Sequence, residues 1–392
     1  MIKKIALPPS IKLFSFRGCS SLTQITIPSS VNRIEKDSFN GCSSLVEITI
    51  PPLVTSIEDR AFRDCIKLKH VSIPSSVNII YDFAFEGCES LEQITLPSSI
   101  VSICYCAFRS CKSLTEIEIP ESVKDTSECA FGSCISLTEV KIPSSLNSIG
   151  KYIFHNDISL KKISIPSSVN MICDNAFENC IALAEVTIPS SVINICDYCF
   201  RNCSALTQVF IPSSVTYIGN GAFKECTSLS QINIPSSVTF IGNAAFNQCS
   251  SLTQMTFPSS ITSIGNDVLN GCTSLTHVFI PSSVTTIGDY SFSRCTSLTQ
   301  IEIPASVTKL GKGVFYYCTQ LTEISISPSI TVIKEYTFRE CTSLVQITIP
   351  SRVTSIGKEA FRCCESLQQI NIPSSTSICN SYISPNVKII KY

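Results

Sequence analysis

Tryptophan is absent from the 392 residues, and histidine and methionine occur only three times each. Three histidines, His70, His155 and His277, are too few and too scattered to build a histidine-based triad or a metal cluster. Charge is also scarce. Asp, Glu, Lys and Arg make up 15% of the chain, the formal net charge is −1, and no Lys/Arg cluster is present that could neutralise a phosphate backbone. Nucleic acid is therefore not an expected partner. No apolar run approaches the roughly 20 residues of a membrane span, so membrane insertion is not expected either. The N-terminus starts basic, but its apolar stretch is broken at Pro8 and Pro9, before a signal-peptide core could form. The sequence by itself thus predicts a cytosolic chain without an anchor. Glycines number 14 and gather mainly at one turn position, which leaves no phosphate-cradling loop. Catalytic residues, cofactor-binding residues and metal ligands are accordingly all expected to be none, and an enzyme is not expected.

What is present is one phrase, repeated. Phe223-Lys-Glu-Cys226-Thr-Ser-Leu229-Ser-Gln-Ile232-Asn-Ile234-Pro235-Ser-Ser-Val238-Thr-Phe-Ile241-Gly242 can be laid over almost the whole chain. Phe or its substitute recurs from position 16 to position 361 at a fixed step of 23, which makes 16 copies. A fixed period of this length marks a solenoid, in which each unit is too small to bury its own apolar face and stacks on its neighbours. Hydrophobic residues at 44% fit that burial and exclude disorder. A single elongated domain over residues 1–380 is predicted, with 1–20 as a short N-terminal unit and 381–392 as a closing strand.

Within a unit, the alternation Gln24, Ile25, Thr26, Ile27 predicts a short strand, and a proline column from Pro28 to Pro373 ends it. Successive strands should lie parallel and in register, with Leu22, Ile25, Ile27, Val31, Ile34, Phe39 and Cys42 heading the inward ladders. The remaining half of the unit reads as a return arm that is either extended or a short 3₁₀ segment. Ile2, Ile5, Leu7 and Pro8 repeat the strand spacing with a first period of 20, and one residue is lost after Pro373. The predicted class is thus a β-rich repeat solenoid with a parallel sheet.

The 23 cysteines are odd in number, and fifteen of them share one column from Cys19 to Cys364, interrupted by Asp157. Such a column reads as small buried filler in the reduced state, which suits a reducing compartment. Cys104-x-Cys106, Cys196-x-x-Cys199 and the pair Cys363, Cys364 raise the question of zinc, which needs four converging ligands. However, Cys104, Cys173 and Cys196 fall in the glycine column and Cys199 in the alanine column, as small-for-small exchange would place them.

The repeat F-x-x-C-x-x-L-x-x-I-x-I-P-S-S-V-x-x-I-G resembles the BspA-like, Treponema-type branch of the leucine-rich repeat family over nearly the full chain. That resemblance implies a curved solenoid with a parallel sheet on its concave side and irregular convex arms. It also implies a surface antigen or adhesin that binds host matrix or other cells, and therefore a cell-surface location. The alternative is an intracellular scaffold. Either would bind a protein partner, of unassigned identity and oligomeric state.

The polar side of the strands is the natural binding face in such a solenoid. It can equally act as a solvated Gln/Thr ladder supporting the sheet. Phe210 and Phe279 place aromatic rings where neighbouring units carry Thr or Asn, next to Gln208, Gln231, Gln254 and His277. The least regular stretch, from Glu116 to Lys162, carries Thr126 and Asp157 as substitutes. Its Glu116, Glu118, Glu139 and Lys141 form a second candidate patch, which marks either a ligand site or relaxed selection.

Overall fold

The computed structural model describes residues 3–378, 383 and 387–392. The chain winds into about 17 parallel-strand turns of roughly 23 residues, and no helix occurs among the described residues. Contacts divide it into two compact units, Met1–Val192 and Ile193–Tyr392, each built from the same turns.

Each turn begins with a three-residue strand that lies parallel to its equivalent one period on. In the first unit Glu47–Thr49, His70–Ser72 and Gln93–Thr95 form one such ladder, with Glu47 opposite His70 and His70 opposite Gln93. In the second, Gln208 stands opposite Gln231, Gln254 opposite His277 and Gln300 opposite Glu323. The central residue of the strand faces the core and its neighbours face outward, as in Gln93-Ile94-Thr95. Proline then stops the strand, because it has no N–H to offer the ladder. Its carbonyl closes a tight turn by accepting the N–H of the valine three residues on, as in Val238 N to Pro235 O at 3.1 Å. The second serine of Pro-Ser-Ser-Val reaches the preceding turn: Ser237 Oγ donates to Val215 O at 2.7 Å and Ser76 Oγ to Val54 O at 2.6 Å.

Of the two readings of the arm, the extended one is realised; no 3₁₀ segment occurs among the described residues. A two-residue strand such as Phe240–Ile241 pairs with Tyr217–Ile218 and so makes a second parallel ladder. Two successive tight turns follow, each needing one left-handed residue, four positions apart: Ala244 at φ 54° and Gln248 at φ 60°, or Tyr290 at φ 54° and Arg294 at φ 57°. Val, Ile and Thr are missing from both columns, as the steric cost of a β-branched side chain at positive φ requires. Tyrosine in the first column can lie over a glycine one turn on. A Cβ on Gly221 would meet Tyr198 Cε1 at 2.4 Å, and one on Gly313 would meet Tyr290 Cε1 at 2.3 Å.

The core is a set of ladders. Leu22, Ile25, Ile27, Val31, Ile34, Phe39 and Cys42 are buried as their spacing predicts. From Phe39 to Phe177 the rings stack with centroids 5.2 to 6.1 Å apart and planes 1° to 19° from parallel. The column cysteines are more than filler. Most donate their S–H to the carbonyl of a phenylalanine 26 residues earlier, as in Cys65 Sγ to Phe39 O and Cys249 Sγ to Phe223 O, both at 3.2 Å, and Cys295 Sγ donates to Leu269 O at 3.3 Å.

At the N-terminal end Lys4–Ala6 pairs with Gln24–Thr26, Ile5 opposite Ile25, so the first period is shorter. Ile2 lies outside the described residues. At the other end Ser355 pairs with Ser377, one residue short of the period, and Lys388–Lys391 lies parallel to Gln369–Ile372. The boundary expected between 380 and 381 also falls outside the described residues.

Candidate binding face

Strand alternation decides what the outer face displays. In Gln208-Val209-Phe210 and His277-Val278-Phe279 the valine points inward, so the third residue must point out, apolar or not. Phe210 is consequently 73% exposed and Phe279 60% exposed, the first beside Asn233 and the second beside Thr256. Both rings belong to the second unit and to one column.

The structure separates the residues singled out from sequence into two groups. Gln254, His277 and Phe279 line a shallow depression of about 490 Å³, floored by the buried Met255 and Ile301. The His277 ring is held by a 2.9 Å contact between Nδ1 and Thr276 Oγ1. Phe210, Gln208 and Gln231 are exposed on the same face but stand outside this depression. Glu302 and Glu323 do line it. They occupy the same two outward columns and were legible as such, but nothing in a column of mixed Gln, Thr and Glu singled them out. Neither carboxylate has an ion-pair partner among the described residues.

In the first unit Glu116, Glu118, Glu139 and Lys141 line a wider depression of about 660 Å³. It carries four carboxylates, with Glu121, against the one lysine, and one ion pair forms among them. Lys141 Nζ pairs with Glu118 Oε1, and the carboxylate of Glu121, on the rim, accepts from Ser144 N at 3.0 Å and Ser144 Oγ at 2.9 Å. An exposed pair of this kind adds little to stability. Thr126 is buried at the end of the second ladder's first sheet, opposite Ile103, while Ser148–Ile149 opens the next sheet. His155 and Asp157 belong to the arm; His155 Nδ1 lies 3.1 Å from Glu178 Oε2.

No group of three or more His, Cys, Asp or Glu side chains suited to a metal ion occurs among the described residues. In the cysteine column, burial pushes the Cys226, Cys272 and Cys318 thiols up to about 12, which keeps them protonated and non-nucleophilic. The face can therefore bind through an aromatic ring, amides and carboxylates.

The model of the BspA type leucine rich repeat region, six copies long, matches residues 9–122, 78–207, 193–322 and 263–390. A leucine-rich repeat protein of Bacteroides ovatus is 29% identical, with a TM-score of 0.79 over 99% of this chain and 92% of that one. A leucine-rich repeat protein of Eubacterium ventriosum shares the fold at 24% identity and a TM-score of 0.56, over 79% of this chain and 87% of that one. No curated protein matches the chain. Leucine-rich repeat proteins generally act as protein-interaction scaffolds and are typically non-catalytic. With the period, the ladders and the family model in agreement over nearly its full length, the chain belongs to the BspA-type leucine-rich repeat proteins.

Proposed function

We propose that this chain is a non-catalytic binding module that takes a protein partner on its outer strand face, in the manner of an adhesin or surface antigen. The exposed Phe279 ring in the depression between His277, Glu302 and Glu323 carries this reading. An exposed aromatic ring surrounded by polar groups is the usual composition of an interface hot spot. Phe210, on the same column, extends the contact. Matrix proteins and surface proteins of other cells are the partners to test.

Phe279→Ala should weaken capture of a bound partner from a panel of purified matrix proteins by about 2 kcal/mol, roughly 30-fold. Adding Phe210→Ala should weaken it further, and neither change should move the melting temperature, because both rings stand in solvent. Undiminished affinity in the double variant would remove the proposal.

A second reading, an intracellular scaffold using the same face, is favoured by the cysteine column, whose S–H to carbonyl bonds exist only while the thiols are reduced. Labelling intact cells with an impermeant reagent separates the two. Only a surface protein would be labelled.

A further inference from the structure

Cys106 and Cys129 are one period apart and occupy the same left-handed position, at φ 53° and φ 60°, in consecutive turns of the first unit. Cys106 N donates to Glu128 O at 3.1 Å, which fixes the two turns side by side, and Cys129 N continues the pattern to Lys151 O at 2.9 Å. Residues paired in this way across parallel neighbours stand about 4.8 Å apart, inside the roughly 4.4–6.8 Å Cα separation that a disulfide spans. Space has been left for the sulfur as well. Gly132 stands where the neighbouring turns carry Arg109 and His155, and a Cβ there would meet Cys129 Sγ at 2.7 Å.

We propose that Cys106 and Cys129 form a redox site, which a peroxide closes into a disulfide that staples adjacent turns of the array. The Cys106 thiolate takes an oxygen atom from the peroxide, giving a sulfenic acid and, once the departing hydroxide is protonated, one water. The Cys129 sulfur, giving up its proton as it attacks, displaces hydroxide from that sulfenic acid, and the hydroxide takes up a proton. Two thiols and one hydrogen peroxide thus give one disulfide and two waters. Cys129 is half-buried, which opens the pair to a molecule as small as hydrogen peroxide, and Cys106, one turn back, is buried. The Cys129 side chain, as the largest influence, together with the Tyr105 side chain, holds the Cys106 thiol below its ordinary range, while the same contact and burial push the Cys129 thiol up, so Cys106 is the sulfur that meets the peroxide as a thiolate. The stacked cysteines of the main column have the same spacing but lack this chemistry. Cys65, Cys88 and Cys111 are fully buried, each donates its S–H to a carbonyl, and burial pushes their thiols far up.

The test uses the full-length reduced chain, exposed to hydrogen peroxide at neutral pH, blocked with N-ethylmaleimide in denaturant, digested and mapped by mass spectrometry. The expected product is a peptide pair joined through Cys106 and Cys129, two hydrogens lighter than its parts, formed before any other cysteine reacts and undone by dithiothreitol. In Cys129→Ser the cross-link disappears and Cys106 proceeds to the sulfinic acid. The proposal is overturned if Cys106 and Cys129 are recovered alkylated while other cysteines oxidise first, or if each ends separately as a sulfinic acid.

Discussion

Asp157 occupies a position that a cysteine fills in the turns on either side, and it repays the exchange only in part. Its Oδ1 accepts the N–H of Cys134 at 2.8 Å, an N–H that in the preceding turn goes to the phenylalanine carbonyl, as in Cys111 N to Phe108 O at 3.2 Å. Its Oδ2 is buried without a partner, and burial pushes the carboxyl well above its ordinary 3.8. The ring stack is also widest here, 6.1 Å between Phe131 and Phe154. Because the folded-state pKa lies above the unfolded one, the contribution of this carboxyl to stability is complete below about pH 4 and is lost as pH rises through the folded value. Asp157→Cys should therefore stabilise by about 1–3 kcal/mol at pH 7 and by less at pH 4, as read from urea denaturation at the two values. An equal gain at both would mean that the carboxyl does not change its protonation on folding. The sequence exposed Asp157 as an interruption of its column. What the carboxylate does there was not legible, since it depends on where the arm points the Cys134 N–H.

Among the elements, the strands were readable and the arms were not. A two-residue alternation closed by proline leaves one conformation, whereas the arm is held by features with no hydropathy period. Its two left-handed columns show only as an avoidance of β-branched residues. A side-chain ladder also runs along the second unit, where Asp197, Asn220, Asn243, Asn266 and Asp289 each accept, through Oδ1, the backbone N–H one turn on, at 2.7–2.9 Å. Its trace in the sequence is the recurrent Ile-Gly-Asn, which a search for apolar spacing passes over. The cysteine column makes the prediction that belongs at this scale. Its thiols ionise in the unfolded chain near pH 9 but stay protonated to about 12 when folded, as at Cys226 and Cys318. The folded state then binds more protons than the unfolded one, so stability falls as pH rises from about 9 to 12. The melting temperature should drop steeply over that window, with several protons released per molecule unfolded. Replacing Cys226, Cys272 and Cys318 by Ala should make the drop shallower, and an unchanged slope would rule the thiols out as its cause.

For the molecule, stability is approximately a sum of turns and of the interfaces between them. Removing residues 231–253, one full period from within the second unit, brings Gln254 to the place of Gln231 and keeps every ladder in step. That variant should unfold cooperatively with a slightly smaller dependence on denaturant. Removing 231–242 instead puts strand against arm, and no cooperative transition should remain by circular dichroism. The candidate face is read at this scale too. Its two outward columns were evident from the alternation, yet the grouping of Phe279 with Glu302 and Glu323, and not with Phe210, needed the structure.

The uniform period carries a cost of its own. With a Phe, Cys, Ile, Pro and Ser ladder presented alike by most turns, a turn that docks one place too far along meets almost the same carbonyls and the same rings. The repeated letters hold neighbours together but cannot number them. Where Leu269 stands in the phenylalanine column, Asp157 in the cysteine column or Gly132 beside Cys129, two candidate neighbours differ in what they offer. Such odd letters act as page numbers in a book whose pages otherwise read the same, and a chain purged of them would fold its turns correctly and assemble them in the wrong order.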